Sequence, residues 1–261
     1  MTDIVVITSV RCGTAAHCLP ALVAQDGVNV KAVILAHGAP QNRWSSKIRR
    51  VKKVCKIGLL GALNGVRIRS WFRAERPDVE KVCNKFNVPF FQVASINGEE
   101  AVRMITSLGP DLGVSLGNGW ISPRIFTIPR LGTINLHSEI LPAYQNAQSI
   151  IWPIYNADPF TGFTVHEMER QIDTGRILFQ KKYPLRFFPS LEQTVRWNKV
   201  EVEKDIPVSV ANVCAHIEEF KSHAVLQGRG GRYTTPSIWQ FLRMTMNNRR
   251  FYKKQCEENG K

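Results

Sequence analysis

Asn135 and His137 stand two residues apart in the stretch 133–150, TINLHSEILPAYQNAQSI. Ile134 and Leu136 alternate with them, so the stretch opens as a strand, and alternate residues of a strand point to one face. A side-chain amide and an imidazole on one face can both donate to a single oxygen. That is what acyl transfer needs where an oxyanion develops. A histidine in this role wants a carboxylate to orient it or share its proton. Glu139, Asp158, Glu167, Glu169 and Asp173 are the downstream candidates. Asp173 is distinctive because it sits in Gln171-Ile172-Asp173-Thr174-Gly175, a loop between two strands that could reach across a sheet edge. A histidine on a strand is more often a part-buried core residue than a catalyst, and that plainer reading stands beside the chemical one.

Other chemistries find little support. No serine or cysteine sits in a nucleophile elbow. Ser9-Val10-Arg11-Cys12-Gly13-Thr14 follows the first apolar run and is neither a Walker loop nor a GxGxxG turn, which argues against nucleotide hydrolysis and hydride transfer. The six cysteines form no CxxC pair and no Cys/His metal spacing. They read as reduced thiols of a cytoplasmic protein, with no metal expected. The net charge of +14 is unusual. Basic residues concentrate in Arg43–Lys56 (RWSSKIRRVKKVCK) and recur at Arg67, Arg69 and Arg73. They suit an anionic partner (a nucleotide-linked substrate, RNA or an anionic membrane face) or simply a solvated surface. No apolar run approaches the ~20 residues of a membrane span. The start, MTDIVVITSV, reads as a strand and not as a signal peptide.

The positioning elements follow from hydrophobic period. Residues 3–8 and 28–36 read as buried parallel strands, with a helix over 12–25 between them. A basic, partly helical segment runs to about residue 73; its Leu59, Leu60, Leu63 and Val66 recur at helical spacing and are expected to pack on the domain, with a lipid contact as the lesser alternative. Helices are expected over 77–86 and 98–108, and strands over 88–93, 111–116 and 132–137. A helix over 146–156 and strands over 162–168 and 176–185 follow. Residues 191–220 read as helical with a break at Pro207. This alternation predicts an α/β fold: a Rossmann-like, mainly parallel sheet with helices on both faces. The expected division is a domain over 1–189 and a small C-terminal extension over 190–261. Ligands collect at the carboxyl ends of parallel strands, which groups 117–122 with 135–139.

Residues 110–180 also resemble the catalytic domain of the folate-dependent formyltransferases. The resemblance rests on Asn-x-His followed by Leu-Pro, then Thr161-Gly162-Phe163-Thr164-Val165-His166, then Asp173-Thr174-Gly175, in that order. It implies transfer of a formyl group from 10-formyltetrahydrofolate to a primary amine. Asn135, protonated His137 and Asp173 would be the catalytic residues. Gly119, Trp120, Ile121, Ser122, Gln171 and Ile172 would hold the folate as formyl donor.

The sequence departs from the family pattern at Ser138-Glu139, where Pro-Ser is usual, and at Gln145-Asn146, where a basic residue and glycine are usual. Glu139, Tyr144 and Gln145 are the candidate acceptor-binding residues; Glu139 would bind the substrate ammonium or raise the pKa of His137, or else be a structural carboxylate. The first strand lacks the glycine-rich phosphate loop of the glycinamide ribonucleotide enzymes, and the tail is too short for the β-barrel of the tRNA enzymes. The expected acceptor is thus a nucleotide-linked amino sugar of surface polysaccharide or lipopolysaccharide synthesis. A tRNA-directed enzyme with a reduced tail and a non-catalytic folate-binding protein are the alternatives. Expected partners are the small nucleotide-linked amine, RNA as the lesser option, and a second copy in a homodimer.

Overall fold

The protein was described from a computed structural model, which covers residues 1–36, 55, 58, 60–72 and 76–259. Most of the basic run 43–56 lies outside the described residues. Seven strands form one sheet: β1 (Thr2–Thr8), β2 (Val28–Ala36), β3 (Phe90–Val93), β4 (Leu112–Ser115), β5 (Thr133–His137), β7 (Phe160–Glu167) and β8 (Ile177–Pro184). Their spatial order is β3-β2-β1-β4-β5-β7-β8. β3 through β5 are parallel neighbours, and β7 and β8 are antiparallel. A second small sheet pairs β6 (Tyr144–Gln145) with β9 (Gly231–Arg232).

Alternation along β1 divides the core between two faces. Ile4 and Val6 pack with α1 (Thr14–Ala24), α3 (Val79–Lys85) and α7 (Leu191–Ala215). Val5 and Ile7 pack on the opposite face with α4 (Glu99–Leu108) and α5 (Pro123–Phe126). The central strands bury both faces, so they read as continuous apolar runs. Each fully buried Ile or Leu contributes roughly 1.5–3 kcal/mol. The fold is the mainly parallel α/β sheet with two helical layers that the sequence predicts.

Residues after 190 join that core. Ser190 caps α7: its Oγ accepts from the Gln193 N–H, and Gln193 Oε1 accepts from the Ser190 N–H. Such a box contributes about 1 kcal/mol. Val202, Ile206, Val210 and Cys214 then pack with β1 and α1 in one cluster. The expected break at Pro207 does not occur, since α7 runs through it. Proline cannot donate to the carbonyl four residues back. Here that carbonyl, of Glu203, meets the ring nitrogen of His17 at 3.1 Å, which supplies the missing donor. The chain continues through α8 (Ile217–Ser222) to α9 (Ile238–Asn259).

Two further expectations are corrected. The helix at 146–156 starts only at α6 (Ile151–Asn156), because Asn146 and Ile150 take positive φ of 52° and 69°. In α2 (60–71), the expected packing of Leu60, Leu63 and Val66 is reversed: they are exposed, while Ile68 and Trp71 are buried. The reason is Gly65. A Cβ there would lie 2.6 Å from Thr235 Cγ2, so the glycine face makes the close approach and the leucine face turns outward. Among the described residues no helix is long and apolar enough to cross a membrane.

Candidate active site

β5 sits at the seam where the sheet changes direction. Its Asn135 pairs with Ser115 of β4 on one side and His166 of β7 on the other. His137 pairs with Thr164. The register therefore puts a second histidine beside the Asn-x-His pair. His166 Nδ1 meets the Glu167 carbonyl at 2.8 Å, which makes that nitrogen the donor and leaves Nε2 as acceptor. Asn135 Nδ2 donates to that Nε2 at 3.2 Å. The Asn135 amide is thereby fixed, with its second N–H unpartnered among the described residues.

His137 is held at both nitrogens. Nε2 donates to the Tyr144 carbonyl at 2.8 Å. Nδ1 then faces Asp173 Oδ2 at 3.5 Å, and His166 Nε2 lies 3.6 Å from Asp173 Oδ1. Burial holds the His137 pKa below the ordinary histidine value, against the opposing effects of Asp173 and the Tyr144 carbonyl. Burial thus favours the neutral imidazole, while Asp173 and the Tyr144 carbonyl favour the imidazolium. Burial pushes the Asp173 carboxyl up, but the two histidines and the Asn146 N–H outweigh it, and its pKa falls below the usual range. Asn146 N donates to Asp173 Oδ2 at 2.8 Å.

The Asp173 loop folds tightly. Asp173 has φ of 57°, a left-handed conformation that Asp tolerates better than most residues. A Cβ on Gly175 would overlap the Glu167 carbonyl, so only glycine lets the loop turn back onto β7. The opposite wall is set by two asparagines. Asn118 Nδ2 donates to the Ile7 carbonyl at 2.7 Å and to Ser115 Oγ at 3.1 Å. Asn97 accepts from the Ser122 N–H at 2.8 Å and donates to the Trp120 carbonyl at 3.1 Å.

These walls enclose a cavity of about 290 Å³ with Asn135, His137, His166 and Asp173 on its lining. Of the residues expected to hold a folate, Gly119, Trp120, Ile121, Gln171 and Ile172 line it. Ser122 does not, and its N–H is taken by Asn97. A second cavity of about 370 Å³ shares Gly117, Ser138 and Ala147 with the first and adds Arg69, Arg76 and Lys199. Glu203 pairs with Arg76 at 2.5 Å and with Lys199 at 3.0 Å.

The three expected acceptor-binding residues are not on the first cavity. Glu139 is fully buried: Oε1 accepts from the Ile150 N–H and Thr161 Oγ1, both at 2.6 Å, and Oε2 accepts from the Ile140 N–H at 3.1 Å. It is a structural carboxylate that holds Ile150 in its positive-φ turn. It does not raise the pKa of His137, which is lowered. Tyr144 is buried and donates its hydroxyl to Asp158 at 3.0 Å, reaching the site only through its carbonyl. Gln145 lines a third, neighbouring cavity. His166 is the residue the sequence reading missed. Its only signal was its place at the end of Thr-Gly-x-Thr-Val-His, since the cross-strand register that matters is not written locally.

A family model described as "Formyl transferase" matches residues 64–204, more than half of the chain. The methionyl-tRNA formyltransferase of Thermotoga sp. (strain RQ2) is 31% identical over 137 residues, 52% of this chain and 44% of that protein. The match thus spans less than half of that curated relative's length. Among solved structures, phosphoribosylglycinamide formyltransferase from Anaplasma phagocytophilum gives a TM-score of 0.57 at 16% identity, covering 89% of this chain and 99% of that one. The N-formyltransferase from Helicobacter canadensis, solved with folinic acid and dTDP-3-aminofucose, gives 0.52 at 14% identity, covering 89% and 71%. At such identities the structures speak for the fold, and the sequence match speaks for descent: the chain belongs to the formyl transferase family.

Proposed function

We propose that the protein is an N-formyltransferase that uses 10-formyltetrahydrofolate and a primary amine, most specifically the amino group of a nucleotide-linked amino sugar of surface polysaccharide synthesis. The observation that carries this reading is the fixed Asn135 amide beside a buried His137 that faces Asp173 at 3.5 Å. The first cavity suits a reduced folate: Trp120, Ile121, Met168 and Ile172 offer apolar faces for a flat ring, and the polar cluster also borders the cavity. When bound, 10-formyltetrahydrofolate would supply a formyl carbon on a nitrogen leaving group.

The residues then divide the work. The free N–H of Asn135 stabilises the oxygen on which charge develops. His137 Nδ1 takes a proton from the amine as the amine nitrogen bonds to the formyl carbon, because Nε2 is already committed to Tyr144, and gives it to the folate nitrogen as the bond from that nitrogen to the formyl carbon breaks. The imidazolium so formed faces the Asp173 carboxylate, which stabilises it. The second cavity lies on the acceptor side, where Arg69 has no carboxylate partner among the described residues and suits a phosphate or diphosphate.

A tRNA acceptor is the second reading, favoured by the curated relatives and the +14 charge. One experiment separates the two. A panel of nucleotide-linked amino sugars and aminoacyl-tRNA is offered with the formylated folate, and products are weighed by mass spectrometry. Formylated sugar nucleotide with weak salt dependence supports the first reading. Formylated aminoacyl-tRNA, lost steeply with salt, supports the second. Folate binding without turnover of any amine sinks both and leaves a non-catalytic binder.

A further inference from the structure

The third cavity, of about 310 Å³, opens beside the first and shares Trp120, Asn146, Gln171 and Ile172 with it. It adds Arg170 and Arg232 and carries no carboxylate. The contrast with the second cavity is one of neutralisation. There Glu203 answers Arg76 and Lys199. Here Arg170 has no hydrogen bond or ion pair among the described residues, and Arg232 has only Gln171 Oε1, at 3.2 Å. Two guanidinium groups at one cavity without a carboxylate are a site for anions.

Arg232 does not reach this cavity by chance. β9 pairs Arg232 with Gln145 of β6, and the Tyr233 N–H donates to the Gln145 carbonyl at 3.0 Å. The backbone approach that makes this possible needs Gly230, where a Cβ would overlap the Pro142 carbonyl. Between the first and third cavities stand Trp120 and Ile172, 51% and 47% exposed. Exposed apolar side chains at a cavity mouth suit a ring that covers them.

We propose that the third cavity receives the tail of the folate: the benzoyl ring against Trp120 and Ile172, and the glutamate carboxylates on Arg170 and Arg232. This rests on the reading that the first cavity takes the folate ring. Direction supports the tail over the acceptor. The third cavity continues along the two wall segments that carry Trp120 and Ile172, whereas the second cavity leaves the site past Gly117 and Ser138. A tail of several γ-linked glutamates places more carboxylates near the two guanidinium groups than a single glutamate does.

The test is calorimetric binding of the unreactive 5-formyltetrahydrofolate carrying one or three glutamates, at low salt. Wild type is compared with Arg170→Ala, Arg232→Ala, the double variant, and Arg103→Ala as a charge control. Wild type and the control should bind the triglutamate about tenfold more tightly than the monoglutamate. Each single variant should lose about threefold of that preference, and the double variant all of it, with monoglutamate affinity falling by a smaller factor than triglutamate affinity; added salt should shrink the preference. Equal affinity for both tails in wild type, or a preference that survives the double variant, overturns the proposal while leaving folate binding intact. Thymidine diphosphate binding that weakens in the arginine variants, with the tail preference unmoved, overturns it in favour of the acceptor. Failure of wild type to bind either folate overturns the underlying reading as well.

Discussion

Two loops meet at His137, and each carries a buried carboxylate. The turn after β5 holds Glu139, and the loop after β7 holds Asp173. Burial pushes both carboxyls upward, yet they end on opposite sides of the ordinary range. Glu139 is raised to about 8, while Asp173 is lowered. The difference lies in the partners. Glu139 accepts only uncharged donors, two backbone N–H groups and a threonine hydroxyl. Asp173 faces two imidazoles as well as the Asn146 N–H. Burial sets the cost of a charge, and the neighbours decide whether it persists. One carboxyl shapes the wall, and the other is kept ionised beside His137.

The largest test of this division is at the chemical pole. Asn135→Ala and His137→Ala should each lower the rate of formyl transfer by about 10²–10³ without lowering the unfolding midpoint comparably. Asp173→Asn should cost about 10² in rate. It removes an effect that raises the His137 pKa, so the acid limb of kcat/KM should move to lower pH. An unmoved limb would separate Asp173 from His137.

Glu139→Ala should do the reverse: about 3 kcal/mol less stability in urea, from the stranded donors of Ile140, Ile150 and Thr161, with a far smaller loss of kcat. pH then gives the two carboxylates opposite signs. A raised pKa means that the Glu139 contribution is full below its ordinary value near 4.5 and lost as pH rises through about 8. The stability gap between wild type and Glu139→Gln should therefore narrow across that window. The Asp173 contribution is present above its ordinary value near 3.8 and is lost as pH falls through its lower folded value. The gap to Asp173→Asn should narrow on acidification instead. Thermal midpoints at a series of pH values read both.

The smallest effect belongs to His166. His166→Leu removes the acceptor that orients Asn135 and should cost about tenfold in kcat, the worth of one hydrogen bond. His166→Gln, which keeps an acceptor, should recover much of it. Equal losses in the two variants would make the ring itself the requirement.

What could be read in the sequence was local. The apolar runs of β1 and β2, the spacing of Asn135 and His137 and the Asp-Thr-Gly turn all announce themselves within a few residues. The rest depended on contacts far apart in the chain. Glu139 looks like a charge aimed at a substrate until Thr161 and Ile150 are seen to enclose it. Residues 146–150 have helical composition but are pulled into a turn by that carboxylate and by Asp173. The leucines of α2 follow helical spacing, yet the close face is the one with Gly65, a choice made by Thr235. Pro207 reads as a break because the ring that completes the helix belongs to His17.

The clasp between β6 and β9 has a consequence for the order of events in the newborn chain. Tyr144, whose carbonyl sets the tautomer of His137, lies on a strand whose partner is Gly231–Arg232. Asn146, which donates to Asp173, also donates its side-chain amide to the Tyr233 carbonyl at 3.1 Å. A ribosome that has released β5 and the Asp173 loop has thus not yet released the segment that braces them. The sheet can assemble during synthesis, but the candidate site is finished only when a stretch some ninety residues downstream (counting from Tyr144 to Tyr233) emerges and closes over it. Loop closure of that length is slow compared with local pairing, so activity should lag behind the appearance of folded sheet.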